Sequence, residues 1–441
     1  MQMKKILGAI AVAGAIAGVV TPIIYTKQID KLIQQETKTL KQQQIEISNV
    51  NNNDSFFKAN REYKVIIKNI TPIAQQLYPN INYRNLQDLQ KLFNNTIITI
   101  KLNFLKYPLY HKDAVKIYLT SLNKETTTNL ESDKIGKEIL EFIKNKGLEV
   151  ILDVNNINIA KAKLKNIDLT IKNANNAHFK ITNAYVTFDN KIKTNVDNVT
   201  FSFKDNYSNV KLGFNNLINI TNKKNRFNYT EISNIKNLFY IKNNQKLNID
   251  NLSSSTKVST IVNKLKINNN INIKILKISN KYSNATIKNL IFNSQIDNLD
   301  FSAIKKFTLQ VQKNPNDKNA LMDNIKNIIN KGFSFKISPF SIDNAIISTP
   351  NKKYTISKID LKLDTKLKTN KFNFSNTDEV LKNSEANLVI TTTKKNIDLL
   401  TQINPSASLY LALVSKQQNN NVIINISYKE GKLTSNGKQL F

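Results

Sequence analysis

Residues 6–25 read ILGAIAVAGAIAGVVTPIIY, twenty residues without a single charge. Twenty helical residues rise about 30 Å, which is about the thickness of the hydrocarbon core of a bilayer. The stretch therefore predicts one transmembrane helix that fastens the rest of the chain to a membrane. The side chains predicted to lie in the bilayer are Ile6, Leu7, Ile10, Val12, Ile16, Val19, Val20, Ile23, Ile24 and Tyr25.

The residues before this stretch resemble the start of a secretory signal. Lys4 and Lys5 precede the apolar run, which continues well past the small residues at 11–13 and 15–17 that a signal peptidase could use. An uncleaved signal anchor is favoured over a cleaved signal, although cleavage stays open. Long domains are exported largely regardless of their charge, so we expect residues 1–5 in the cytoplasm and the body outside.

Gly14 and Gly18 form a small-xxx-small pair within the predicted span. Such a pair lets two membrane helices approach closely, which would make a homo-oligomer. The alternative is that glycine and alanine are simply common in membrane helices.

Residues 26–44 have a helical pattern that is predicted to continue the membrane helix as a stalk. Ile29, Leu32, Ile33 and Leu40 fall on one helical face, while lysine and glutamine fill the other. The alternative is a helix that lies on the lipid surface, but the apolar stripe is narrow for that role.

The composition sets limits on the body. With 441 residues and 40% apolar residues the chain has enough material for a core, and it has no cysteine for disulfides or thiolate sites. The net charge of +32 suggests a polyanion partner, but only Arg61, Arg84 and Arg226 are arginine, and the lysines are spread along the chain. An A/T-rich genome, whose codons favour Lys, Asn and Ile, explains this excess better than a selected polyanion site does, so no specific nucleic-acid site is predicted.

Residues 45–441 are dominated by a period of two, which is typical of β-strands with one buried face. Val199, Phe201 and Phe203 alternate with polar residues, and so do Val422 and Ile424. Alternation over many segments favours antiparallel pairing. The predicted fold class is mainly β (α+β): an elongated, curved antiparallel body with a few amphipathic helices.

Five segments share a second pattern, in which two mostly polar residues separate an apolar residue from an alternating apolar pair. The segments are residues 164–171, 196–201, 287–292, 296–301 and 356–363. Two intervening residues shift the side-chain alternation by one, which predicts a β-bulge or a sharp corner. Because the body has only six glycines, asparagine is expected at turns that need a positive φ.

Three amphipathic helices are predicted to pack on sheet faces. The first is capped by Ser132, ends at Gly147, and has an apolar face of Ile135, Ile139, Phe142 and Ile143. The second begins near Asn319 and has an apolar face of Leu321, Ile325, Ile328 and Ile329. The third covers about Lys394 to Lys416, with an interruption at Asn404 because Pro405 disfavours helical geometry in the residue before it.

No known catalytic, metal or cofactor motif is found. The two histidines, His111 and His178, are far apart, and no phosphate-binding glycine loop or nucleophile elbow is present. Carboxylates on predicted strands stand among lysines, which indicates solvated strand faces; these are Asp297, Asp300, Asp360 and Asp364. We therefore expect no enzyme, although a glycosidase-type acid pair from distant positions stays open.

Both ends of the chain resemble those of the YdgA-like bacterial envelope proteins, a family classed as a domain of unknown function. Residues 3–12, MKKILGAIAV, and 25–29, YTKQI, resemble the family's anchor and exit, without its glycine. Residues 421–438, NVIINISYKEGKLTSNGK, are similar to its closing hairpin. The chain departs from the family at Pro108, which lacks the preceding histidine and glycine.

The resemblance implies a bacterial inner-membrane protein with a periplasmic β-rich body and no catalytic residues. A likeness to AsmA-type envelope proteins, whose long sheets form lipid-accommodating grooves, points the same way. The first functional hypothesis is binding of an apolar or amphiphilic ligand, or of an envelope partner, by a curved sheet. The alternatives are a lysine-rich module that binds polyanions or surfaces, and a hydrolase with an unrecognised acid pair.

Overall fold

The structure is a computed structural model that describes residue 41 and residues 44–440, apart from residues 55–57, 73, 75–85, 88–89, 91–93, 106–112, 123, 133, 156–157, 205–207, 226, 314–316 and 369–376. The described chain is mainly β, with antiparallel strand pairs and a few helices, which confirms the predicted class of the body. The chain divides into two compact units, Met1–Leu217 and Ile218–Phe441.

The predicted tail and membrane span lie outside the described residues, as do Gly14, Gly18 and all but residues 41 and 44 of the predicted stalk. Among the helices that the structure does describe, none has both the length and the apolar character needed to cross a membrane. The anchor at residues 6–25 and its dimer contact stay predictions.

The first unit is an antiparallel meander with two described helices. Strands β1 to β6 pair in chain order; β6 also pairs with β9, β9 with β10, β10 with β8, and β8 with β7. The elements are β1 (Ile45–Asp54), β2 (Lys58–Ile67), β3 (Thr96–Leu105), β4 (Asp113–Leu122), α1 (Lys124–Glu131), α2 (Lys134–Lys144), β5 (Glu149–Asn155), β6 (Asn158–Leu164), β7 (Ile167–Ile171), β8 (Ala177–Thr182), β9 (Tyr185–Phe188) and β10 (Ile192–Lys204). The boundary between the units falls within β11 (Asn209–Asn225).

Helix α2 covers one face of the sheet in the first unit. Its buried residues Ile135, Ile139 and Ile143 pack against β7, in which buried and exposed residues alternate strictly. Ile167 and Ile171 are each only 1% exposed beneath the helix. The predicted apolar face of this helix is thus confirmed, and it covers a buried apolar core of the kind that supplies most of the favourable free energy of folding.

The second unit contains the longest strands. Strands β12, β13, β14, β15, β16, β19, β20 and β22 pair in that order. The elements are β12 (Asn228–Lys242), β13 (Gln245–Ile261), β14 (Lys264–Ser279), β15 (Asn284–Asp300), α3 (Phe301–Lys313), α4 (Lys318–Asn330), β16 (Phe333–Ile342), β17 (Asn344–Ser348), β18 (Lys353–Ile356), β19 (Ile359–Leu367), α5 (Thr377–Lys382), β20 (Ser384–Thr393), α6 (Lys394–Ile403), α7 (Ala407–Val414), β21 (Ser415–Gln418), β22 (Asn421–Lys429), β23 (Lys432–Ser435) and β24 (Lys438–Gln439).

Asparagine occupies most of the backbone positions with a positive φ. Of the sixteen such non-glycine residues in the described chain, twelve are asparagine. Its short amide tolerates the left-handed region better than most side chains do, so it replaces the scarce glycine. This confirms the prediction made from the glycine count.

The recurring pattern marks strand corners or interruptions in four of its five copies, whereas the copy at 196–201 lies within the uninterrupted strand β10. Asn289 and Asn298 within β15 have φ values of 52° and 65°. The pairing of β14 with β15 shifts register between Leu265 and Ile267, opposite Asn298. In the copies at 164–171 and 356–363 the strand is interrupted at the two intervening residues, 165–166 and 357–358.

The other two predicted helices need corrections. Helix α4 begins at Lys318, with Asp317 as its cap, and Ile325 of its predicted apolar face is exposed. The third helix is divided near Asn404 as predicted, but α7 ends at Val414. The prediction that this third helix packs on the sheet through a single apolar stripe is wrong for α7, which reads ASLYLALV and is apolar on all sides. A helix of this kind leaves apolar surface exposed when only one side contacts a sheet.

Candidate ligand-binding face

One face of the sheet in the second unit carries two rows of apolar side chains. Cross-strand partners lie on the same face of a sheet, so the strand register defines each row. The first row is Ile271, Phe292, Phe340, Leu361, Ile390 and Ile424. The second row, alongside it on the same face, is Ile337, Leu363, Leu388 and Ile426. We call these ten residues the apolar lane.

The apolar lane is continuous and contains no polar or charged side chain. The rings of Phe292 and Phe340 meet edge to face, with their centroids 6.4 Å apart. The first row crosses six strands, and five strand spacings of about 4.8 Å give it a length of about 24 Å. An acyl chain of one bilayer leaflet reaches about 15 Å, half of the hydrocarbon core, so the lane is long enough to hold one.

The lane differs from the core of the first unit in its burial. Among its ten residues only Ile424 is buried, and the other nine are partly exposed. Of the 27 buried apolar residues in the described chain, only six lie in the second unit. An apolar face of this size whose side chains are partly exposed offers a surface from which an apolar ligand can displace water.

The opposite face of the same strands is mainly polar and carries ion pairs, although Ile291, Val389 and Ile423 also lie on it. Lys336 Nζ lies 2.8 Å from Asp364, whose hydrogen bond and negative charge raise the pKa of Lys336. Asp297 and Asp360 pair with lysines at 3.2 and 3.3 Å, and Asp300 caps α3 by accepting from the backbone N–H of Ala303. Asp364 is exposed, as the prediction of solvated strand faces requires, whereas Asp297 and Asp360 are only partly exposed and Asp300 serves as a helix cap.

A cleft at the ends of these strands is strongly basic. Its volume is about 680 Å³, and six lysines but only two carboxylates line it, an excess of four positive charges. Three of its lysines surround Glu385: the hydrogen bond from Lys368 lowers the pKa of Glu385 most, and the charges of Lys429 and Lys366 lower it further. The six lysines of this lysine cleft are Lys264, Lys331, Lys336, Lys366, Lys368 and Lys429.

Histidine and carboxylate groups form no cluster that could hold a metal ion in the part of the chain that the structure describes. His111 lies outside the described residues. His178 Nε2 is 2.7 Å from Asp168 Oδ1 on the exposed side of β7 and β8, and Lys180 lies 3.7 Å from the same carboxylate. No group of three potential ligands among His, Cys, Asp and Glu occurs in the described ranges.

The ion pair of Asp168 predicts a small acid dependence of stability. The hydrogen bond with His178 holds the pKa of Asp168 below its ordinary value, so this stabilisation is present above the ordinary pKa and is lost as the pH falls through the lowered pKa. Because the carboxylate is exposed, we expect D168N to lower the unfolding free energy by about 0.5 kcal/mol or less. Denaturant unfolding between about pH 6 and pH 2 measures this; an equal difference at both limits would contradict it.

The apolar lane and the lysine cleft contain none of the site residues predicted from the sequence, which are those of the membrane span and its glycine pair. The lane could not be assembled from the sequence because its members come from six strands. In comparisons with family models, curated proteins and solved structures, this chain has no significant match.

Proposed function

We propose that this protein is a single-pass bacterial inner-membrane protein of the YdgA-like type whose body binds the apolar part of an amphiphile on the apolar lane. In this proposal residues 6–25 form the anchor, residues 1–5 stay in the cytoplasm, and an elongated, curved periplasmic body holds the ligand. The protein has no enzymatic role in this proposal. The observation that carries it is the partial exposure of the lane, two uncharged apolar rows in which nine of the ten residues are not buried.

The energetics favour an extended apolar ligand. Burial of each methylene contributes about 0.8 kcal/mol, so about ten methylenes along the lane contribute about 8 kcal/mol before the cost of ordering the ligand. The polar opposite face, with ion pairs such as Lys336 to Asp364, offers no comparable apolar surface. A ligand is therefore expected on one face only.

The proposal is tested by extracting the purified full-length protein with organic solvent and identifying the extract by mass spectrometry. A lipid or fatty acid at about one molecule per chain is expected, and a fluorescent fatty acid should compete with it. An extract with no amphiphile above the detergent control, together with no binding of the fluorescent fatty acid, would refute it.

The location is tested separately. A reporter that is active only outside the cytoplasm, fused after Phe441, is expected to be active in the full chain and inactive when residues 1–25 are deleted. N-terminal sequencing of the mature protein should begin at Met1 or Gln2. A start after Ala17 would instead show that the segment is cleaved.

The lysine cleft favours a second candidate function, the binding of a polyanion. We expect K366Q/K429Q to weaken binding of a polyphosphate about tenfold or more at low salt, and to reduce the slope of log affinity against log salt by about two. Fluorescence anisotropy over a salt series measures both quantities. The matched control is K223Q/K224Q on β11, which removes the same charge from exposed positions outside the cleft. Equal losses in both variants would show a non-specific charge effect.

A further inference from the structure

Helices α6 and α7 present a cluster of apolar side chains to solvent. Five large apolar residues within residues 400–413 are exposed: Leu400 44%, Ile403 62%, Leu409 73%, Tyr410 73% and Leu413 68%. Contiguous exposure of this kind on a polar protein marks a contact surface. We call these five residues the apolar helix patch.

The two helices are held firmly by their other sides. The buried amide of Asn396 in α6 accepts from the backbone N–H of Ser357 and donates to Thr392 Oγ1, both at 2.8 Å. At the end of α7, the carbonyl of Val414 accepts from Ser435 Oγ and Asn436 Nδ2. These hydrogen bonds attach both helices to the sheet without involving the exposed residues of the patch.

The charges around the patch match an anionic surface. Lys394 and Lys395 begin α6 and Lys416 follows α7, while Asp398 is the single acidic residue between them. Negative lipid headgroups attract lysines beside an apolar surface, and a tyrosine is typical of the membrane interface. A second copy of the same patch would bring the lysines of both copies together, which is unfavourable.

The size of the patch also fits a lipid surface. Helix α7 has eight residues and is about 12 Å long, so it can lie in the interface but cannot cross a core of about 30 Å. We propose that the apolar helix patch inserts into the headgroup boundary of an anionic bilayer, with Leu409, Tyr410 and Leu413 entering the acyl region. This inference rests on the membrane location in the proposed function but not on ligand binding by the lane.

The patch adjoins the lane. Thr392, which Asn396 contacts, follows Leu388 and Ile390 on the same face of β20, and both helices contact β22. Insertion of the patch would therefore bring one end of the lane to the bilayer surface, where an amphiphile can enter it.

The chain contains no tryptophan, so a single introduced tryptophan reports on its own position by fluorescence. The Y410W variant of the full-length protein carries one indole fluorophore in the patch, and the matched control Y282W carries one at a tyrosine that is 67% exposed in the turn after β14. Both variants are reconstituted into vesicles of phosphatidylcholine and phosphatidylglycerol with or without brominated acyl chains. We expect brominated lipid to quench the indole emission of Y410W about twofold or more and to leave that of Y282W unchanged, because quenching requires contact with acyl chains.

Two further variants make the outcome specific. L409S/L413S in the Y410W background should abolish the quenching, and K394Q/K395Q/K416Q should weaken it in anionic vesicles while the vesicles without phosphatidylglycerol show little change. Solvent-like emission of the Y410W variant in every vesicle would overturn the inference. So would a blue shift that brominated lipid does not quench and that grows with protein density, because this indicates a second copy. Solvent extraction of the same preparations shows separately whether the lane holds its ligand.

Discussion

The L361K variant is expected to lose the bound amphiphile while it stays folded. Leu361 lies between Phe340 and Ile390 in the first row of the apolar lane. Because the lane is partly exposed, a lysine there can extend its ammonium group into water when no ligand is present. A bound apolar ligand would cover that charge at a cost of several kcal/mol, and each ~1.4 kcal/mol is a factor of ten in affinity.

We therefore expect at least about a tenfold loss of affinity for a fluorescent fatty acid, and an extract nearly free of lipid. The matched control is T391K, which adds the same side chain on the neighbouring strand but on the polar face, directly opposite Asp360. The control should retain its ligand, and circular dichroism should show that both variants are folded. Equal lipid content in the two variants would rule out the lane as the binding face.

The I167A variant is expected to show the largest loss of stability. Ile167 is 1% exposed beneath α2, and truncation at such a site typically costs about 2–5 kcal/mol of unfolding free energy. The adjacent exposed position supplies the control, since D168N should cost only about a tenth of this. Urea unfolding followed by circular dichroism measures both.

The same unfolding measurement tests whether the side chains of the lane are partly exposed or belong to a sealed core. L363A removes an apolar side chain of similar size, but the site is already partly exposed, so we expect a cost of about 1 kcal/mol. A cost for L363A that equals the cost for I167A would mean that the lane is sealed core and would argue against ligand binding there.

Local patterns in the sequence predict a large part of the fold. Alternation identifies the strands, the pattern with two intervening residues identifies the corners at Asn289 and Asn298, and the glycine count predicts the role of asparagine. The amphipathic stripe of α2 predicts its buried face. These features depend on neighbours in the chain, which is why a single sequence contains them.

The candidate sites depend on distant parts of the chain. Alternation shows that Ile271 and Ile424 are inward residues of their strands, but only the pairing order places them in one row. The lysine cleft likewise assembles residues from several strands and turns that are separate in sequence. An apolar helix such as α7 has the same pattern whether its surface is buried or exposed, so its exposure could not be predicted.

The order of pairing in the second unit has a consequence for how the chain reaches its fold. Each of the strands β12 to β15 pairs with the next one along the chain, and the turns between β12, β13 and β14 have two residues each. The contact order of this hairpin series is low, and the entropy of closing each turn is small. Strands β12 to β15 can therefore pair one after another while the polypeptide is still being synthesised, before the C-terminal strands are available.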